Sequence, residues 1–331
     1  MCAVMHRMSA ERKQMKIIEE LKGAKKIAIG GHIRPDGDCV GSCMAMYLFL
    51  KKALPGAEIS VYLEKPADIF ACIKGFDEIK TQITDGAEAD AFIVLDCADD
   101  RLGFSRPLFE SARRRINIDH HITNPGCGNT SLVVPGASST SELVYGVIDH
   151  KLMDADVAKA LYIGIIHDTG VFQYSNTSPE TMRIAADLIS YGFDFPKLID
   201  ETFYEKTYVQ TQILGRALLE SIMFMDGRCI VSMVSRETMR FYHVEQKDLD
   251  GIVSQLRQIK GVDCAIFMCE TGVMEYKVSM RSSDKIDVAK IAMLFGGGGH
   301  KKAAGCTMNG TYHDSINNLS LHIEKQLQGL E

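Results

Sequence analysis

His32, Asp36 and Asp38 fall within seven residues, in the stretch Gly31-His32-Ile33-Arg34-Pro35-Asp36-Gly37-Asp38. An apolar run (Lys26 to Gly30) precedes them and a long helical pattern (Cys39 to Leu50) follows. This arrangement sets short acids at the C-terminal end of a strand, where open α/β sheets put their chemistry. Two later runs end the same way: Phe92-Ile93-Val94-Leu95 leads into Asp96, and Arg115-Ile116-Asn117-Ile118 into Asp119-His120-His121. A single loop Asp is most often a turn or helix cap. Together, however, His32, Asp36, Asp38, Asp96, His120 and Asp168 make four carboxylates and two imidazoles. Like charges crowded at one sheet edge repel unless cations lie between them.

A carboxylate-rich set with two imidazoles suits two divalent ions, Mn2+ first, with Mg2+ or Co2+ also acceptable, better than a structural zinc. Paired ions about 3.5–4 Å apart activate water and clamp both oxygens of an in-line attack at phosphorus. Asp96, at the tip of the most apolar strand, is the natural bridge. A second group lies far downstream, in Gly296-Gly297-Gly298-Gly299-His300-Lys301-Lys302, with Arg281 closing Val278-Ser279-Met280-Arg281. Glycines let backbone N–H groups approach an anion, and a helix starting after them would add a favourable dipole. The competing reading is a flexible turn, against which the adjacent basic residues favour phosphate.

The elements that must position these residues alternate. Met8 to Gly23 reads as a helix, followed by strands at Lys26, Ile59, Phe92 and Arg115. Helical patterns cover Asp38 to Lys52, Ser139 to His150, Asp156 to His167 with Asp154 as cap, and Ser178 to Tyr191. This predicts an α/β fold with a mostly parallel sheet flanked by helices. The pattern loosens near Phe193. Thr207 to Ser221 reads as a helical connector, and a smaller mixed α/β domain follows with strands, a glycine run and a closing amphipathic helix. The expected division is residues 1–195, a linker over 196–220, and 221–331.

The chain has 331 residues, enough for two cores. No apolar run is long enough to span a bilayer and no apolar signal core opens the sequence, so a cytoplasmic protein without membrane contact is expected. Ten scattered cysteines without a Cys-x-x-Cys pair read as reduced core residues. A net charge of −6 argues against long duplex DNA but is compatible with short anionic ligands.

Asp119-His120-His121 resembles the signature of the DHH phosphoesterase superfamily. The His32–Asp38 loop resembles its first motif, Val94-Leu95-Asp96-Cys97-Ala98-Asp99 the second, Asp119 to Asn124 the third and His167-Asp168-Thr169-Gly170 the fourth. Gly296 to Gly305 resembles the glycine-rich motif of the associated DHHA1 domain. Within the superfamily the chain resembles the compact NrnA-like oligoribonuclease and phosphoadenosine phosphatase branch. Arg34 and Cys39 stand where relatives often carry Asn and Ala.

The resemblance implies one metal on His32, Asp36 and Asp96, and another on Asp38, Asp96, His120 and Asp168. It implies Asp96, His120 and His121 as the catalytic set, with His121 facing the scissile phosphate and Asp119 orienting a neighbouring histidine. Arg281, Gly297, Gly298, Gly299 and His300 would hold the substrate with His121. Ala137-Ser138-Ser139-Thr140 also resembles the family but reads as a helix cap outside the site.

The expected activity is hydrolysis of short single-stranded oligoribonucleotides (nanoRNA) and of 3′-phosphoadenosine 5′-phosphate. One alternative is a phosphodiesterase for linear or cyclic dinucleotides such as pApA. Another, of a different class, is a regulator that binds nucleotides without hydrolysing them, which the filled ligand positions disfavour. A homodimer is implied by the resemblance alone.

Overall fold

Five parallel strands form the sheet of the first unit in the computed structural model, which describes residues 15–329. They are β1 (Lys26–Gly30), β2 (Glu58–Tyr62), β3 (Ala91–Leu95), β4 (Arg114–Asp119) and β5 (Thr130–Val133), in the order β2-β1-β3-β4-β5. Alternation along the strands sends side chains to two separate cores. Ile27, Ile29, Ile93, Leu95, Ile116 and Ile118 join the larger one, whereas Ala28, Phe92 and Val94 join a smaller cluster with Leu108 and Phe109. A strand buried on both faces reads as a continuous apolar run, which is why β3 was legible in the sequence.

Four helices of this unit bear on the site: α1 (Gly37–Ala53), α2 (Thr140–Val147), α3 (Ala155–Asp168) and α4 (Pro179–Ile189). Asp154 caps α3 by accepting from Val157 N at 3.1 Å, and Ser178 caps α4 by accepting from Thr181 N at 3.1 Å, as their sequences predict. Within the described part of the expected N-terminal helix, Ile17–Glu20 are helical. Residues 8–14 of the expected helix lie outside the described residues. β5 had no sequence signal, because Thr130, Ser131 and Val133 are not buried and only Leu132 enters the core.

Contacts divide the chain between Glu205 and Lys206. The segment expected to connect the domains, α5 (Tyr208–Leu219), buries Ile213 and Ala217 in a core cluster with Ile230, Val234 and Phe267 of the second unit. That unit has a six-stranded sheet ordered β10-β11-β9-β8-β7-β6. Its strands are β6 (Ile222–Phe224), β7 (Cys229–Val234), β8 (Cys264–Gly272), β9 (Glu275–Ser282), β10 (Gly298–His300) and β11 (Ala303–Asn309). Only β7 and β8 pair in parallel. Helices α6 (Val288–Leu294) and α7 (Tyr312–Leu327) contribute Val288, Ile291, Leu319 and Ile323 to its other core cluster.

Among the described residues no helix is long and apolar enough to cross a membrane. The nine described cysteines are free thiols.

Candidate active site

The strand order reverses direction between β1 and β3, and a crevice opens at such a switch point beyond the C-terminal strand ends. His32 follows β1, Asp96 follows β3, and Asp119 to His121 end and follow β4. The topology therefore delivers three of the sequence motifs to one edge.

His32 is buried, and its Nδ1 lies 2.9 Å from the Ile33 carbonyl. A proton on Nδ1 leaves Nε2 to face Asp36 Oδ1 at 3.6 Å and Asp96 Oδ2 at 3.4 Å. Asp36 is the N-cap of α1, its Oδ1 accepting from Asp38 N and Cys39 N at 3.1 Å each. Asp38, in the first turn of α1, is almost completely buried. Its two oxygens accept from the backbone N–H groups of Thr140 at 2.6 Å and Ser141 at 2.9 Å. These are orphan donors at the start of α2, so the helix end both fixes the carboxylate and favours its charge. Gly164 of α3 has no room for a side chain here, since a Cβ would collide with Ser141 Oγ and Asp38 Oδ1.

Asp96 adopts φ of 64°, a left-handed conformation uncommon for a residue with a side chain, although Asp tolerates it better than most. It is buried, its N–H bonds to Ile118 O at 3.1 Å, and Thr140 Oγ1 donates to its Oδ1 at 3.1 Å. Strain of this kind persists where the surroundings over-determine the conformation. The backbone turn brings Asp96 within 3.6 Å of His120 Nε2, which in turn lies 3.3 Å from Asp168 Oδ2 at the end of α3.

The sequence of Ala137-Ser138-Ser139-Thr140, which runs on into Ser141, reads as a helix cap outside the site. Ser139 does cap α2, accepting from Glu142 N at 3.0 Å. The segment also supplies three donors to Asp38 and Asp96, a role the sequence reading missed. Buried Glu142 anchors it, with Ser138 Oγ donating at 2.6 Å and Thr181 Oγ1 of α4 at 2.7 Å.

Asp119 is fully buried and accepts at Oδ1 from His120 N (2.7 Å), His121 N (3.1 Å) and His121 Nδ1 (2.7 Å). Asn124 Nδ2 donates to its Oδ2 at 2.5 Å. Burial would raise Asp119, but the bonds to His121 and Asn124 hold its carboxyl below the usual range. Asp119 thus orients the quarter-exposed imidazole of His121 through Nδ1.

Asp36 is likewise lowered against burial, to about 2, by its bonds to His32 and to the N–H groups of Cys39 and Asp38, whereas Asp96, Asp38 and Asp168 behave oppositely. Burial and the Asp38 charge push Asp96 well above the usual carboxylate range, and burial raises Asp38 as well. Burial and the neighbouring Asp38 and Asp36 lift Asp168 to about 8. Burial should depress His32, yet its bonds to Asp36 and Asp96 hold it well above an ordinary imidazole. Without a cation, a proton on His32 sits where positive charge is needed.

Among the described residues, three groups have ligand atoms within 4.8 Å of one another: His32, Cys39 and Asp96; Asp38, His120 and Asp168; and Asp96, Asp119, His120 and His121. His120 Nε2 is buried and makes no hydrogen bond although carboxylates surround it. A buried imidazole nitrogen left unbonded among converging carboxylates is the arrangement a metal cation completes, so the residues fit divalent metals. Of the expected ligands, Asp36 touches His32 but is mostly exposed, with 63% of its side chain accessible.

In the second unit, Arg281 of β9 pairs with Ala303 of β11, and Ala303 with His300 of β10. Arg281 and the glycine run therefore share one end of that sheet. The expectation of a helix starting after the glycines fails: Gly298 to His300 form an edge strand that turns into β11. Gly297 is bound back to α6 through Ala292 O at 2.9 Å, and a Cβ on it would collide with Gly305 O. Gly297 and Gly299 allow close backbone packing in a hairpin, and no helix begins after the run.

The pattern of the DHH family N-terminal domain matches residues 26–165, and that of the DHHA1 domain residues 226–329. The bifunctional oligoribonuclease and PAP phosphatase NrnA of Thermus thermophilus is 30% identical over 305 residues, covering 90% of this chain and 89% of that protein. The protein of the same description from Bacillus subtilis is 25% identical over 288 residues, covering 85% and 89%. The crystal structure of an exopolyphosphatase-related protein from Bacteroides fragilis superimposes with a TM-score of 0.86 at 26% identity, covering 97% of this chain and 98% of that one.

Proposed function

Because the chain belongs to the DHH family, whose members are phosphoester hydrolases, we propose that it hydrolyses short oligoribonucleotides and 3′-phosphoadenosine 5′-phosphate. The activities for which the Thermus and Bacillus relatives are named support this substrate class, and the similarity extends over most of each chain. The observation that carries the chemistry is the convergence of Asp38, Asp96, His120 and Asp168, with His32, on one sheet edge where the acids repel one another.

His32, Asp36, Asp38, Asp96, His120 and Asp168 are proposed to hold two divalent ions, Mn2+ among them. When bound, the ions would offset the carboxylate charge and polarise the phosphoryl group. Thr140 and Ser141 keep Asp38 and Asp96 pointed into the site, which limits reorganisation during the reaction. His121, with Nδ1 bonded to Asp119, would present Nε2 to a phosphate oxygen. From the second unit, Arg281, Gly297, Gly298, Gly299 and His300 are proposed as substrate-binding residues.

The test is incubation of the purified protein and Mn2+ with di- to pentaribonucleotides and with 3′-phosphoadenosine 5′-phosphate. Mononucleotides and free phosphate are the expected products. Intact substrates across a series of divalent ions would contradict the assignment.

A further inference from the structure

The His32 side of the site contains a donor that the proposal above leaves unused. Cys39, in the first turn of α1, is fully buried, and its Sγ lies within 4.8 Å of ligand atoms of both His32 and Asp96. Its position is fixed from two sides. Its N–H is bound to Asp36 Oδ1 at 3.1 Å, and its sulfur fills the space beside Gly31 that a Cβ there would need. His32 Nε2 and Asp96 Oδ2, 3.4 Å apart, complete a group of one nitrogen, one oxygen and one sulfur donor, all buried. Asp36, by contrast, is largely exposed and already caps the helix. The neighbouring thiol of Cys43 belongs to no such donor group and reads as a core residue.

Resting on the reading of this cluster as a cation centre, we propose that Cys39 ligates the cation held by His32 and Asp96. This half of the centre then takes a thiophilic divalent transition ion (Co2+, Zn2+ or Fe2+) in preference to Mn2+ or Mg2+. Soft sulfur selects such ions, whereas the oxygen- and nitrogen-only set of Asp38, His120 and Asp168 remains suited to harder ones. On coordination, Sγ exchanges its proton for the cation and the proton passes to solvent, with no change of oxidation state. The centre becomes chemically unequal in its two halves.

Cobalt spectroscopy on the full-length protein tests this. Co2+ added to the metal-free wild type should give visible ligand-field bands together with a sulfur-to-cobalt charge-transfer band in the near ultraviolet. Cys39→Ala and Cys39→Ser should keep the visible bands, lose the charge-transfer band, and bind Co2+ about tenfold more weakly with Mn2+ affinity unchanged. Cys43→Ala, the core-thiol control, should keep the full spectrum. The serine variant preserves side-chain size, so folding confirmed by circular dichroism in either Cys39 variant suffices. Visible bands without a charge-transfer band in the wild type, or a charge-transfer band that survives in a folded Cys39 variant, would overturn Cys39 ligation while leaving the cation centre standing. No cobalt bands at all would overturn both.

Discussion

Asp96 and Asp263 are both buried acids at strand ends, one beyond β3 in the first sheet and one just before β8 in the second. Asp263 is supplied with permanent cations: Arg228 Nε donates to it at 3.0 Å, Lys285 Nζ at 3.3 Å, and Ser283 Oγ at 3.0 Å. Burial would raise its pKa, but these partners hold it below the usual range. Asp96 meets other carboxylates and two imidazoles, in a left-handed backbone conformation, and is raised well above that range. The contrast separates an acid that permanent cations neutralise from one crowded by other carboxylates, the environment that the proposed metal centre requires.

The strongest break of this contrast is Asp96→Asn, which keeps size and tolerates the left-handed backbone. Phosphoester hydrolysis should fall by on the order of 10⁴-fold, and the metal-free protein should melt at a higher temperature because an acid whose ionised form burial and Asp38 disfavour is gone. Asp119→Asn acts on orientation: turnover should drop about 10²–10⁴-fold while Mn2+ affinity, measured by calorimetry, is retained. Thr140→Val removes the hydroxyl that donates to Asp96 and should weaken Mn2+ binding about 10–100-fold, with Thr140→Ser restoring it.

The two acids also predict opposite responses to pH. Asp168, at about 8, and the raised Asp96 and Asp38 hold protons more tightly folded than unfolded. Stability of the metal-free first unit should therefore fall as pH rises from about 4 to about 8, and Mn2+ should flatten that decline. His32, raised by its carboxylate partners, adds stability below its unfolded value that is lost as pH climbs through its folded one. Asp263 gives the second unit stability that is present above the ordinary carboxylate pKa and lost as pH falls through its own lower value. Hydrogen exchange resolved by unit distinguishes the two trends. Asp263→Asn should cost only about 1 kcal/mol at neutral pH, because Arg228 and Lys285 are partly solvated.

What the sequence revealed follows from burial. β1, β3 and β4 are parallel strands covered on both faces, so their apolar runs and polar tips were legible, and with them His32, Asp96, Asp119, His120 and His121. β5 enters the core through one side chain and left no such trace. The donation of Thr140 to Asp38 spans 102 residues, and no local pattern could separate it from an ordinary helix cap. The glycine run suggested an anion cradle at a helix start. It forms a hairpin instead, because Gly297 and Gly299 allow backbones to approach where a Cβ would collide. Cys39 read as a core residue, since only the fold sets its sulfur beside His32 and Asp96.

The most direct test of the account is calorimetric titration of metal-free protein with Mn2+, wild type against Asp96→Asn, followed by thermal denaturation. The account predicts two ions per wild-type chain with a marked rise in melting temperature, and loss of both the stoichiometry and the rise in the variant. Absence of binding to the wild type, or equal binding and stabilisation in Asp96→Asn, would contradict it.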